Sequence, residues 1–197
     1  MLLLATRSAG KLRELRRMTA SSGWHWGGLD EFPGIPEAVE HGRTFLENAR
    51  IKALYYAQLT SLPALADDSG LCVLALGGAP GVHSARFAGE PKSDLRNNEL
   101  LLSRLAGEQD RRAYFYCMAV LMRHPEDPRP LVADGEWHGE ILEAPRGENG
   151  FGYDPLFYLP DLEQTAAELD AALKNTLSHR GAAMRHMLDR LRVHPLE

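Results

Sequence analysis

The segment Gly147–Glu148–Asn149–Gly150–Phe151–Gly152–Tyr153–Asp154–Pro155 sets one aromatic face, one phenol and one carboxylate among three glycines and a proline. That composition suits neither a helix nor a strand, so a shaped loop is expected. A ring flanked by glycines, Phe151, suits stacking on a flat heterocycle, and the nearby Asp154 carboxylate can accept a ring N–H. A hairpin loop whose Phe151 and Tyr153 cap a core accounts for the same residues.

Three further groupings could carry chemistry. Ala66–Asp67–Asp68–Ser69–Gly70 ends an apolar run in two carboxylates. Successive strand residues face opposite sides, so only one of the pair is expected to face a site fully. A carboxylate at a strand end suits Mg2+, which takes hard oxygen ligands and keeps several waters; a solvated pair capping a turn is the plainer alternative. Glu40 and Glu47 are the candidates for a second acidic ligand, but Glu47 also fits as the capping-box partner of Thr44. In Thr6–Arg7–Ser8–Ala9–Gly10–Lys11, hydroxyls, backbone N–H groups and a lysine meet at an expected helix start, the makings of an anion cradle. The glycine spacing of a Walker loop is missing, and an ordinary N-cap followed by a solvated lysine fits as well. Lys174, His179 and Arg180 lie near the start of the last helical pattern, where such residues form either a solvated face or contacts to an anionic ligand.

The elements that must position these groups follow from periodicity. Leu2–Ala5 reads as a buried strand, followed by a helix from about Ala9–Lys11 to Met18 with Leu12 and Leu15 facing the core. Residues 27–43 read as a loop. Thr44 then caps a helix to about Ala57. Ala64–Ala66 is expected as a strand ending at Asp67–Asp68, with a second strand at Leu71–Leu76. Ser93–Ala106 looks helical, with Leu95, Leu101, Leu102 and Leu105 as core contacts. Strands are expected at Ala113–Met122, Leu131–Asp134, Glu136–Leu142 and Leu156–Tyr158. Ser178 caps a last helix to about Leu191. Strands and helices mix without strict alternation, which points to an α/β domain with a mixed sheet.

The 197 residues fit one ordinary α/β domain or two small lobes, 44% hydrophobic and 25% charged, with a net charge of −5. No basic stripe favours a nucleic acid polymer. The opening Met1–Leu4 run is too short to enter a membrane. Cys72 and Cys117 sit in apolar runs without metal-ligand spacing and read as buried thiols of a reducing compartment, the cytoplasm.

Taken together, Ala66–Gly70, Gly77–Gly78–Ala79–Pro80–Gly81, Gly150–Pro155, Lys174–Asn175 and Ser178–His179–Arg180–Gly181 resemble the Ham1-like inosine/xanthosine triphosphate pyrophosphatases, in order and over nearly the whole chain. The resemblance implies an elongated, curved central sheet flanked by helices, with two lobes and a cleft between them, within a single domain of residues 1–197. It implies Mg2+-dependent release of pyrophosphate from inosine, deoxyinosine and xanthosine triphosphates, which cleanses the nucleotide pool, by a homodimer. By residue, it implies Asp68 as metal-linked proton acceptor and Glu40 as a metal ligand. Substrate contacts are implied for Thr6, Arg7, Ser8, Ala9, Gly10, Lys11, Ser69, Phe151, Gly152, Tyr153, Asp154, Lys174, His179 and Arg180. The chain departs from the family at Thr6–Arg7–Ser8, where the usual third residue is asparagine. Arg7 then either adds charge toward the phosphates or points outward. A pyrophosphatase for another modified nucleotide, as in the Maf-like proteins, and a nucleotide-binding regulator with reduced turnover are the rival readings.

Overall fold

Alternating burial along short strands decides which helix covers which face of the sheet. The computed structural model describes residues 1–194 and 196. In chain order the elements are β1 (Leu2–Leu4), α1 (Ala9–Thr19), β2 (Trp26–Gly28), α2 (Phe45–Thr60), β3 (Ala64–Val73), α3 (Asp94–Arg104), β4 (Arg112–Met122), β5 (Leu131–Ile141), β6 (Phe157–Leu159), β7 (Gln164–Thr165), α4 (Ala171–Leu177) and α5 (His179–Val193). The strands form one mixed sheet in the order β2-β1-β3-β4-β5-β6-β7. β1 is parallel to β2 and β3, and β6 is antiparallel to β5 and β7. Among the described residues no helix is long and apolar enough to cross a membrane.

Contacts divide the chain into two compact units, and β3, β4 and β5 each contribute residues to both. The first unit comprises Met1–Asp68, Cys117–Gly135 and Arg180–Glu197. On one face of its strands Leu2, Leu4, Leu65, Cys117, Ala119 and Leu131 pack with Leu15 of α1 and Met184, Met187 and Leu191 of α5. On the other, Leu3, Ala64, Ala66, Val120 and Met122 pack with Ala49, Ala53 and Tyr56 of α2. The second unit comprises Ser69–Tyr116 and Glu136–His179. Its core joins Leu71, Val73, Phe115, Trp137 and Phe157 to Leu101 and Leu105, which α3 brings in.

The mixed α/β class, the helix starts at Ala9 and Phe45 and the buried free thiols Cys72 and Cys117 agree with expectation. Several boundaries do not. The two strands expected at Ala64–Ala66 and Leu71–Leu76 are one strand, β3, because Ser69–Gly70 continues the extended backbone instead of turning; Leu74–Leu76 is a helical turn. Leu131–Asp134 and Glu136–Leu142 likewise fuse into β5 through Gly135. β2 lies in the segment read as loop, and parallel pairing with β1 creates it. α4 and β7 carried no periodic signal because they are only 7 and 2 residues long. Leu95, expected in the core, is 69% exposed, since the face of α3 that packs on the core passes through Leu101 and Leu105.

α2 begins as its sequence dictates. Thr44 Oγ1 accepts from Glu47 N at 3.1 Å, while Glu47 Oε2 accepts from Thr44 N and from Arg43 N. Glu47 is therefore a cap. Thr44→Ala is expected to cost about 1 kcal/mol of stability, read from the urea midpoint, and Glu47→Gln to cost less, because its amide oxygen still accepts.

Candidate active site

The pleat of β3 sends its two carboxylates to opposite faces, and the first unit gives each its own partners. Asp67 shares the face of Leu65, toward α1 and α5; Asp68 shares the face of Ala64 and Ala66, toward α2. Neither is solvated: Asp67 is 3% and Asp68 7% exposed.

Asp67 Oδ2 lies 3.0 Å from Lys11 Nζ and 3.2 Å from Arg180 Nε, and Cys117 Sγ approaches it at 3.8 Å. Arg180 Nη1 in turn donates to Glu14 of α1. Two carboxylates thus face two cations, and the cluster balances. Burial alone would raise the Asp67 carboxyl, but Lys11 and Arg180 overcome it and hold the group well below the usual carboxylate range. Burial, with Asp67 beside it, pushes the Cys117 thiol far up. Arg180, expected at the ligand, is 2% exposed and committed to Asp67 and Glu14.

Asp68 is treated differently. Asn48 Nδ2 donates to its Oδ2 at 3.1 Å, and Lys52 Nζ lies 3.4 Å from its Oδ1 and 2.8 Å from Glu40 Oε2. Asn48 Oδ1 also accepts from Gly42 N at 2.8 Å, which ties the segment carrying Glu40 to the same helix turn. Here two carboxylates share one ammonium, so a negative charge remains over. Burial raises the Asp68 carboxyl, Lys52 and Lys11 oppose this, and the net shift is upward. Hard oxygen donors with an uncompensated charge fit Mg2+, which commonly uses one or two carboxylates and leaves other positions to water and phosphate. Among the described residues, no group of three or more His, Cys, Asp or Glu side chains could hold a metal ion by itself.

The first turn is an N-cap with an unusual lysine. Ser8 Oγ accepts from Lys11 N at 3.4 Å, Ser8 N donates to Thr6 Oγ1 at 3.2 Å, and Ala9 and Gly10 open α1. Lys11 is not solvated but held by Asp67. Arg7 is exposed and donates to the carbonyl of Ile35.

In the second unit the glycine-rich segment is a loop, as expected. Asp154 Oδ2 accepts from Phe151 N at 2.8 Å and from Lys174 Nζ at 2.6 Å, and that ammonium stands 4.9 Å from the Phe151 ring centroid. Gly150 adopts φ +77°, and a Cβ there would lie 2.0 Å from Asp154 Oδ2. Asp154 therefore braces the loop and orients Lys174. Tyr153 is buried and donates to Ser84 O at 2.8 Å, while Phe151 and Gly152 stay partly accessible. His179 stacks on Phe115 at 4.8 Å between centroids with an 11° interplanar angle. Ser69 follows Asp68 on β3 and is half-buried.

Sequence reasoning passed over Lys52, Asn48 and Glu14. Lys52 had a signal: it adjoins the buried stripe Ala49, Ala53, Tyr56 of α2, where a cation needs a partner. Glu14 had none, because its partner lies 166 residues away.

Residues 2–190 match the model of the Ham1 family. A dITP/XTP pyrophosphatase of Aromatoleum aromaticum is 66% identical, over 99% of this chain and 98% of the relative, and one of Chromobacterium violaceum is 56% identical, over 98% and 97%. Among solved structures, a HAM1 protein from Coxiella burnetii superimposes with a TM-score of 0.89 at 44% identity, covering 98% of both chains.

The two carboxylates predict opposite stability effects. The depressed Asp67 stabilises the fold above the ordinary Asp range, and that contribution is lost as pH falls through it. Asp67→Asn is therefore expected to cost about 3–5 kcal/mol at neutral pH, as removal of one partner from a buried pair does. Asp68, shifted upward, costs stability above the ordinary range and recovers it as pH falls. Asp68→Asn is expected to melt at or above the wild-type temperature at pH 7, with the gap closing toward pH 4. Urea and thermal unfolding of both variants across pH check the pair of signs.

Proposed function

The chain belongs to the Ham1 family, and from that premise we propose that it hydrolyses non-canonical purine nucleoside triphosphates to the monophosphate and pyrophosphate. Deoxyinosine, inosine and xanthosine triphosphates are the substrates, Mg2+ is the working ion, and cleansing of the cellular nucleotide pool is the purpose. The relatives named dITP/XTP pyrophosphatase support the substrate class. We assign the enzyme to the cytoplasm, as a homodimer.

The observation that carries the proposal is the buried, incompletely neutralised Asp68 beside Glu40 and Lys52. A carboxyl pushed upward by burial holds a proton more readily than a solvent-exposed one, which suits a general base. Asn48 fixes one Asp68 oxygen, leaving the carboxylate oriented to take a proton from a water attacking the α-phosphorus. Glu40 and Asp68 would hold Mg2+, which supplies Lewis-acid polarisation and neutralises triphosphate charge when bound. Lys11 and Lys52 add fixed positive charge, which stabilises the anionic oxygens that develop as pyrophosphate departs. Their own carboxylate partners hold both ammoniums in place before substrate arrives.

Base choice is assigned to the glycine-rich loop and its neighbours. Hypoxanthine and xanthine carry a keto oxygen where adenine carries an amino group. A donor such as Lys174 beside the Phe151 ring can donate to the keto oxygen, whereas the adenine amino group would leave it unpaired. His179 completes the set of candidate donors.

Steady-state assays with product identification test the reading. Deoxyinosine and xanthosine triphosphates are expected to release pyrophosphate with kcat/KM at least ~100-fold above adenosine triphosphate. Asp68→Asn is expected to lose ~10²–10⁴ in kcat. Release of orthophosphate instead of pyrophosphate, or equal turnover of the adenine nucleotide, refutes the assignment.

A further inference from the structure

Two side chains of α3 converge on a single residue of the glycine-rich loop. Asp94 and Asn98 stand four residues apart and so share one helix face. Gly152 N donates to Asp94 Oδ2 at 2.7 Å, and Asn98 Nδ2 donates to Gly152 O at 3.0 Å. Gly152 thus has both its backbone groups taken by one helix. Its φ is +64°, and nothing lies within 4 Å of the place a Cβ would occupy. Glycine adopts such a left-handed turn without steric cost, and the two hydrogen bonds from α3 fix it there.

The neighbours of Gly152 show what the tether fixes. On one side Asp154 holds Phe151 N and the Lys174 ammonium, which lies near the Phe151 ring. On the other, Tyr153 Oη donates to Ser84 O, a carbonyl that Asn97 of α3 also reaches, at 3.3 Å. Phe151 precedes the clamped glycine directly, so the two tethers bracket its ring. The Asp94 contact joins a carboxylate to a backbone N–H and is the stronger kind of hydrogen bond. Asp94 is exposed and Asn98 half-buried, so neither is needed to fill the core.

We propose that Asp94 and Asn98 are positioning residues for base recognition: through Gly152 they hold the Phe151 ring as a ready stacking surface for the purine, without touching it. The proposal rests on the reading of this loop as the base-binding element. A preset ring spares the ordering cost that a mobile loop would incur on binding. The clamp acts on the base and leaves the phosphate chemistry alone, so its loss weakens ground-state and transition-state binding alike.

The test compares Asp94→Ala, Asn98→Ala and the conservative Asp94→Asn with wild type. Alanine is favourable in a helix, so α3 is expected to persist in both alanine variants. Each is measured for kcat and KM on deoxyinosine triphosphate, and for inhibition by inosine monophosphate, which carries the base, and by pyrophosphate, which does not. Loss of one such hydrogen bond is expected to raise KM and the inosine monophosphate inhibition constant roughly 3–10-fold, with kcat within about twofold. Pyrophosphate inhibition should stay unchanged, and Asp94→Asn should stay near wild type, because its amide oxygen still accepts from Gly152 N. If kcat and pyrophosphate inhibition shift together with KM, the two residues are merely structural and the clamp is refuted; unaltered inosine monophosphate inhibition refutes it equally. Wild-type turnover distinguishes this failure from failure of the underlying reading: an enzyme that releases no pyrophosphate from deoxyinosine triphosphate overturns that reading, and the clamp falls with it.

Discussion

A carboxylate removed from water must be neutralised where it stands, and Asp67 imposes that demand on the first unit. Lys11 from α1 and Arg180 from α5 answer it, and Glu14 balances the one positive charge that Asp67 leaves over. These four charges lie on the face of β3 that α1 and α5 cover with Leu15, Met184 and Met187. The apolar layer makes the ion pairs strong by excluding water, and the ion pairs make that layer tolerable by leaving no bare charge inside it. The arrangement also sets Lys11, in the first turn of α1, in a fixed place. Arg180 is held in the same buried cluster.

The opposite face of the same strand is left unfinished. Asp68 and Glu40 meet a single ammonium, Lys52, and it does not offset the burial that raises the Asp68 carboxyl. A fold selected only for stability would complete this balance. Retaining a deficit where a cation and an anionic substrate are to be bound is the usual trade between stability and activity. The two faces of β3 therefore differ in purpose although their carboxylates are adjacent in sequence: one is balanced and the other is left for a ligand to balance.

The second unit solves a local problem by local means. Its glycine-rich loop is braced by its own Asp154, by Lys174 and by α3, and the Phe151 ring is held without being buried. Glycines at 150 and 152 both take left-handed turns, and the first also makes room for the Asp154 carboxylate. In the same unit, Phe115, Trp137 and Phe157 form an aromatic layer on which His179 stacks.

The sequence by itself determined whatever depends on neighbours a few residues apart. The capping box Thr44–Glu47, the helix starts at Ala9 and Phe45, the loop character of Gly147–Pro155 and the opposite facing of Asp67 and Asp68 all follow from local geometry and turn chemistry, and the structure bears them out. The motif order likewise gave the Ham1 family. Only the tertiary structure decided what depends on pairings across the chain. β2 exists because β1 offers it a parallel partner. Glu14 finds Arg180 across 166 residues, and only the fold makes them a buried ion pair. Lys52 gains its meaning when a helix turn sets it between Glu40 and Asp68. Charge compensation is summed in space, over groups that the chain brings together from distant positions, and a linear sequence carries no record of that sum.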